Sequence, residues 1–269
     1  MDLGISTYSY TWATGVPGKM PELPMNAKKL IDLASTFRVQ RLQIADNNPL
    51  FSQSEKIWLE LRDYAKAKNI QIEIGGRGMK PDNLEEYINM ASFFNSPILR
   101  MVIDAEGFEP DMNAIISILK NALPLLESKG IILALENHDR FPSMVFNQII
   151  REINHPKVGI CLDSVNSMGI GEGLETVVNN LAPFTVNLHV KDYSVSRINH
   201  KMGFVVEGKP AGKGLLNLPW ILEKLSPFNR CQSAILELWT PPSSTLDETI
   251  KKEHEWAVAS IAYMKQVVH

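Results

Sequence analysis

Residues 130–163 read GIILALENHDRFPSMVFNQIIREINHPKVGICLD. Two short apolar runs, 130–136 and 157–163, flank a longer amphipathic segment at 143–153. Runs of that length predict strands, and the segment between them predicts a helix. Strand, helix and strand in that order predict two parallel strands joined by a right-handed crossover. Alternation along a strand puts Ile132, Ala134 and Glu136 on one face, and Gly159, Cys161 and Asp163 on one face of the next. Each run therefore ends on an inward carboxylate.

The same unit repeats outward in both directions. Strands are predicted at 3–8, 41–45, 70–75, 97–103, 130–136, 157–163, 185–190 and 233–238. Helices are predicted at about 25–37, 54–68, 82–95, 111–128, 143–153, 172–181, 217–225 and 248–266. In 54–68, Ile57, Leu61, Tyr64 and Ala65 recur at helical spacing behind Ser54, a predicted N-cap. Pro124 is expected to bend the helix at 111–128. Eight strand–helix units predict an α/β chain forming a single (β/α)8 barrel, one domain over 1–269. An open doubly wound sheet would usually carry a Gly-rich phosphate loop after its first strand, and none follows 3–8. The long interruption at 191–216 contains Gly203, Gly208, Gly212 and Gly214 and reads as a functional loop.

Composition narrows the class. The 269 residues are 45% hydrophobic and 21% charged, ordinary for a globular chain. A formal net charge of −3 argues against a nucleic-acid partner. The two cysteines, Cys161 and Cys231, sit in apolar segments and are expected to be reduced and packed. No basic stretch precedes an apolar one at the N-terminus, and no run of about 18 apolar residues occurs. The expectation is a cytoplasmic enzyme with no membrane partner, a homo-oligomer being possible.

Four strand ends carry metal-ligand residue types: Glu136, Asp163, His189 and Glu237. The spacings are 27, 26 and 48 residues, so the four come from adjacent strands five to eight, the last after the long loop. Singly, each has a bland alternative. Asp163 would cap the next helix, His189 would be a bonded core residue, and either Glu a solvated or loop-fixing group. Together they converge on one quadrant of the C-terminal mouth, where barrel enzymes put their chemistry. Three carboxylates packed together repel one another strongly without a cation. One imidazole with three carboxylates suits Mn²⁺, Mg²⁺ or a similar divalent metal ion.

The runs LENHDRF (135–141), CLDSVN (161–166), LHVKD (188–192), PAGKG (210–214) and LELW (236–239) resemble the xylose-isomerase-like TIM-barrel superfamily, across essentially the whole chain. That superfamily includes sugar and sugar-phosphate isomerases and epimerases and the metal-dependent endonucleases. The resemblance implies that Glu136, Asp163, His189 and Glu237 bind the ion and that Glu136 and Glu237 also move protons. Two positions depart from the ketose-epimerase pattern. Asn166 stands where those enzymes often have His, and Val195 lies near the point of an expected arginine, with Arg197 close by. Six histidines, few of them at strand ends, do not supply the trinuclear zinc site of the endonucleases.

Lys191 alternates with His189 and is expected to point into the mouth as a catalytic or anion-binding group. Arg197, His200 and Lys201 follow on the loop, and PAGKG offers backbone N–H groups to an anion. Tyr8 and Trp12 are expected to wall the substrate, and His138 to hydrogen-bond it. Glu73 and Arg100 would pair inside the barrel. The leading expectation is an isomerase or epimerase of a small sugar, sugar acid or sugar phosphate acting through an ene-diolate, with Glu136, Glu237 and Lys191 as catalytic groups. The alternative is a lyase using the same electron sink, a decarboxylase or dehydratase of a 3-oxo sugar acid. The run HKMGFVVEGKPAGKG (200–214) is similar to sugar-acid decarboxylases.

Overall fold

The computed structural model describes residues 1–48 and 50–269. Eight parallel strands close into a barrel: β1 (Asp2–Ser6), β2 (Arg41–Ile44), β3 (Gln71–Arg77), β4 (Ile98–Val102), β5 (Ile132–Glu136), β6 (Val158–Asp163), β7 (Thr185–Val190) and β10 (Ser233–Leu236). They follow chain order around the ring, and β10 closes it by pairing with β1. The expected (β/α)8 architecture is therefore the one observed. Closure leaves no free edge in the eight-stranded sheet.

A short helix α1 (Thr11–Thr14) precedes the outer layer. That layer comprises α2 (Ala27–Thr36), α3 (Glu55–Ala67), α4 (Pro81–Phe93), α5 (Met112–Lys129), α6 (Ser143–Ile153), α7 (Leu174–Leu181), α8 (Leu218–Leu225) and α9 (Leu246–Val267). Side-chain caps start several of them: Asp111 accepts from the Ala114 N–H, Asn217 from the Trp220 N–H, and Thr245 and Glu248 form a reciprocal capping box. Ser54 stands at the N-cap of α3 but its side chain makes no capping bond. Pro124 lies inside α5 without ending it. No helix among the described residues is long and apolar enough to cross a membrane.

Most of the apolar core lies between barrel and helices. A small cluster, Ile98, Ala134, Cys161 and Val186, packs separately, with Ile132 against it. Near it, buried polar side chains bond one another. Glu73 accepts from Gln43 Nε2 (3.2 Å), Asn187 Nδ2 (3.1 Å) and Ser233 Oγ (2.7 Å), and Arg41 stands 3.7 Å away. The expected Glu73–Arg100 pair does not form. Both cysteines are free, Cys161 buried and Cys231 half-buried.

Three departures from the sequence expectation shape the mouth. The first strand ends at Ser6, not at residue 8. Ser6 accepts from the Tyr8 N–H while Ser9 accepts from the Ser6 N–H, and this reciprocal cap turns Thr7–Tyr10 into a 3-10 turn. The last barrel strand ends at Leu236, yet the Glu237 N–H still donates to Val190 O (3.1 Å), holding Glu237 one step beyond the strand. The interruption at 191–216 contains an antiparallel hairpin, β8 (Asp192–Arg197) with β9 (Phe204–Lys209). Gly208 lets it lie down, because a Cβ there would collide with the Trp239 carbonyl.

Candidate functional site

Parallel strands put all their C-terminal ends at one mouth. Glu136 ends β5, Asp163 ends β6 and His189 is the penultimate residue of β7. Asp163 is in register with His189, and His189 with Ile235, two residues before Glu237. All four side chains are essentially buried. His189 Nδ1 stands 3.7 Å from Glu136 Oε2, 3.7 Å from Asp163 Oδ2 and 3.5 Å from Glu237 Oε1. The structure thus brings together the four strand-end residues singled out in the sequence.

The donor chemistry of this cluster suits a divalent cation. His189 Nε2 hydrogen-bonds Gln43 Oε1 (2.8 Å), and the Gln43 amide is oriented by its own donation to Glu73 and Asn187. Nε2 therefore carries a proton and Nδ1 faces three carboxylates; burial opposes charge on the ring, but Glu237 and Glu136 outweigh it and raise its pKa. His189 Nδ1 and Glu237 Oε1 are buried and lack a hydrogen-bond partner. Buried polar atoms are rarely left so. Asp163, His189 and Glu237 present ligand atoms within 4.8 Å of one another, and Glu136 with Cys161 and His189 forms an overlapping group.

The cations already present answer part of this negative charge. The Lys191 ammonium stands 2.7 Å from Asp163 Oδ2 and 2.8 Å from Glu237 Oε2. Burial opposes its charge, but Asp163, Glu237 and Glu136 outweigh burial and raise its pKa. Burial likewise opposes ionisation of Asp163, and Lys191 and His189 overcome it and hold that carboxyl below its ordinary range. At Glu237 the same contest is won by His189, Lys191 and Arg100, and its pKa is lowered.

Arg100 is buried on β4, donates to Glu136 Oε2 through Nε, and reaches Asp46 Oδ1 at 3.3 Å through Nη1. Asn166 Nδ2 donates to Glu136 Oε1 (2.8 Å). Both oxygens of Glu136 are thereby held. Asp163 is held too. Its Oδ1 accepts from the Val165 and Asn166 N–H groups (both 2.9 Å), and its own N–H donates to Asn137 Oδ1 (2.7 Å). Asp163 does not cap the helix that follows: one oxygen fixes the turn at Val165 and Asn166, and the other faces the cluster.

A cavity of about 640 Å³ opens over this cluster, with Tyr8, Trp12, Asn166, Lys191, Glu237 and Trp239 in its wall. Tyr8 donates to Asp46 Oδ2 (3.2 Å), and burial, then Asp46, raises its pKa. Trp12 Nε1 donates to Thr240 O (2.7 Å). A cavity of about 730 Å³ lies at the opposite end, against Ile132, Val158 and Gln232 near the strand starts, away from the carboxylates. His138 and Arg197 are not in the wall of the mouth cavity. His138 pairs with its neighbour Asp139. Arg197, on the exposed hairpin, donates to Lys201 O (2.9 Å) and lies over the Phe204 ring.

PAGKG does not present its amides to the mouth. Asp192 Oδ2 accepts from the Gly212 and Gly214 N–H groups (2.9 and 3.0 Å), and Oδ1 accepts from Leu216 N–H (2.9 Å). The loop's anion is the chain's own carboxylate. Gln43, Asp46, Arg100 and Trp239 were not assigned to the site from sequence. The signal available for Arg100 and Gln43 was a single Arg inside ILRMV (98–102) and a Gln between apolar neighbours in LQIA (42–45).

Known proteins resemble this chain in sequence and in fold. A family model described as xylose isomerase-like TIM barrel matches residues 76–267. A 3-oxo-isoapionate decarboxylase of Pectobacterium atrosepticum is 28% identical over 264 residues, 98% of this chain and 95% of that protein. The D-psicose 3-epimerase of Clostridium cellulolyticum H10, solved with D-tagatose, superposes with a TM-score of 0.74 at 15% identity over 100% of both chains. A xylose isomerase-like TIM barrel protein from Mycobacterium smegmatis in complex with magnesium gives 0.71 at 15% identity over 97% of both chains. At that identity the solved structures speak for the fold alone.

Proposed function

The chain belongs to the xylose isomerase-like TIM barrel family, and from that membership we propose a divalent-metal-dependent lyase that decarboxylates a small 3-oxo sugar acid. Glu136, Asp163, His189 and Glu237 would hold the ion, Mg²⁺ or Mn²⁺ by the oxygen-rich donor set. When bound, it would supply the electron sink by stabilising negative charge on the substrate's ketone oxygen. The observation that carries the reading is the state of Glu136. Arg100 and Asn166 occupy both its oxygens, leaving it poorly placed to take a proton from carbon. Epimerisation asks for bases on two faces of one carbon, whereas decarboxylation abstracts no C–H proton. The 28% relative, whose printed name is a decarboxylase, supports the same choice.

The steps assigned to the chain are few. Tyr8, Trp12 and Trp239 wall the sugar-acid carbon skeleton. The substrate's C–C bond to its carboxylate breaks, CO2 leaves, and the bonding pair moves into an enediolate. Lys191, held protonated beside Asp163 and Glu237, returns one proton to it. A second reading, isomerisation or epimerisation of a ketose, draws on Glu237, whose Oε1 has no hydrogen-bond partner and would serve as a base.

Metal-reconstituted enzyme incubated in D2O with 3-oxo sugar acids, ketoses and sugar phosphates separates the two. CO2 release with one deuterium in the product is expected. Deuterium uptake into a ketose at unchanged carbon count, with no CO2 from any acid, would establish the second reading instead. For the lyase, Lys191→Met is expected to lower kcat/KM on the acid by about 10- to 150-fold, the scale of one charge-assisted hydrogen bond. A fall mainly in kcat assigns Lys191 to proton return, and one mainly in KM assigns it to carboxylate binding. Parental kinetics would remove it from both roles.

A further inference from the structure

Behind the cavity wall lies a buried carboxylate with no part in the cluster. Glu253, on α9, is fully buried. Its Oε1 accepts from the Trp12 N–H (2.9 Å) and its Oε2 from the Ala13 N–H (3.0 Å). Both amides belong to α1, the turn that presents Thr11 and Trp12 to the cavity. The next residue of α9, His254, hydrogen-bonds the Tyr10 hydroxyl through Nδ1 (2.9 Å). On its cavity side the turn is tied through Trp12 Nε1 to Thr240 O and through Thr11 Oγ1 to Tyr8 O. One carboxylate from near the end of the chain thus clasps the start of it.

We propose that Glu253 is a positioning residue for the mouth cavity: with both oxygens accepting, it fixes α1 and so sets where Trp12 stands against a bound substrate. When Glu253 is protonated, one oxygen becomes a donor, one of the two amide bonds is lost, and the wall loosens. The proposal rests on the mouth cavity being the substrate site, as in the reading above.

The groups around Glu253 make the switch accessible near neutral pH. The segment Thr7–Thr14 brings Tyr10 toward it, α9 brings His254, and β10 (SAIL) contributes no titratable side chain. No cation forms an ion pair with Glu253 among the described residues. Burial, opposed by the amides of Trp12, Ala13 and Thr11, pushes its pKa up to about 7. Because the folded value is raised, the fold gains stability as pH falls from about 7 toward the ordinary carboxylate range. Acidification through this range therefore adds Glu253's contribution to stability while loosening this one wall.

The test reads Trp12 directly. Fluorescence of the ion-free wild-type protein minus that of Trp12→Phe is followed from pH 5.5 to 8.5. A transition with a midpoint near 7 is expected, kept in His254→Gln and missing in Glu253→Gln. In substrate kinetics at pH 8, Glu253→Gln should raise KM by about 2- to 12-fold, one hydrogen bond's worth, with kcat nearly unchanged. A flat wild-type difference signal overturns the proposal whether or not Glu253→Gln folds, as does a transition that disappears in His254→Gln. The fluorescence arm needs no substrate. A transition near 7 in a protein that releases no CO2 would sink the lyase reading and leave Glu253 in place.

Discussion

His189→Ala is expected to leave purified protein nearly free of divalent ion and to cut turnover by about 10³-fold. That is the rate worth of about 4 kcal/mol of transition-state stabilisation from a lost electron sink. The substitution removes the imidazole whose Nδ1 lies 3.5–3.7 Å from three carboxylates. It also leaves Gln43 Oε1 without its partner, a cost of about 1–3 kcal/mol to the fold. A companion variant separates the two effects. Asp163→Asn retains an oxygen to accept from Val165 and Asn166, so it should keep the fold while losing metal and activity together. Elemental analysis beside turnover, with circular dichroism for the fold, makes the comparison. Full metal content and full turnover in both variants would end the assignment of these residues to a metal centre.

Glu237→Gln is the second large effect. It is expected to lower turnover by about 10²-fold or more, the usual scale for a group that moves or steers a proton. In the lyase reading, the Lys191 ammonium loses one of its two anchoring carboxylates. In the epimerase reading the enzyme loses its least encumbered base. The amide keeps an oxygen for a cation but is a poorer ligand than a carboxylate, so metal content must be measured beside the rate. Unchanged turnover at full metal occupancy would take Glu237 out of the chemistry. Turnover restored by excess ion alone would leave it a ligand and nothing more.

The barrel was legible in the chain because its determinants are local. Short apolar runs and amphipathic segments alternate eight times, and each pattern depends on residues a few positions apart. Which strand ends meet was legible for a related reason. Inward alternation and a spacing near one unit put Glu136, Asp163 and His189 at the same height on neighbouring strands, and β10 delivers Glu237 beside them. The inward direction of Lys191 followed from the same alternation and agrees with its position over Asp163 and Glu237.

Partner choice did not follow from any of this. Alternation says which face a side chain occupies, while the stagger of the closed barrel decides what stands opposite it. Arg100 meets Glu136 and Asp46 rather than Glu73, because Glu73 is taken by Gln43 on the neighbouring strand and by Asn187 and Ser233 from across the interior. The glycine loop at 210–214 looked like an anion cradle, and only the folded chain brings Asp192 into it. Arg197 looked close to the site by sequence, but the β8–β9 hairpin carries it outward. That Glu136, Asp163, His189 and Glu237 gather at one end of the barrel was thus legible in the sequence alone. Which of them are held, charged or left without a hydrogen-bond partner was decided by contacts between distant segments, such as His189 with Gln43 146 residues away, because only closure of the barrel sets those distances.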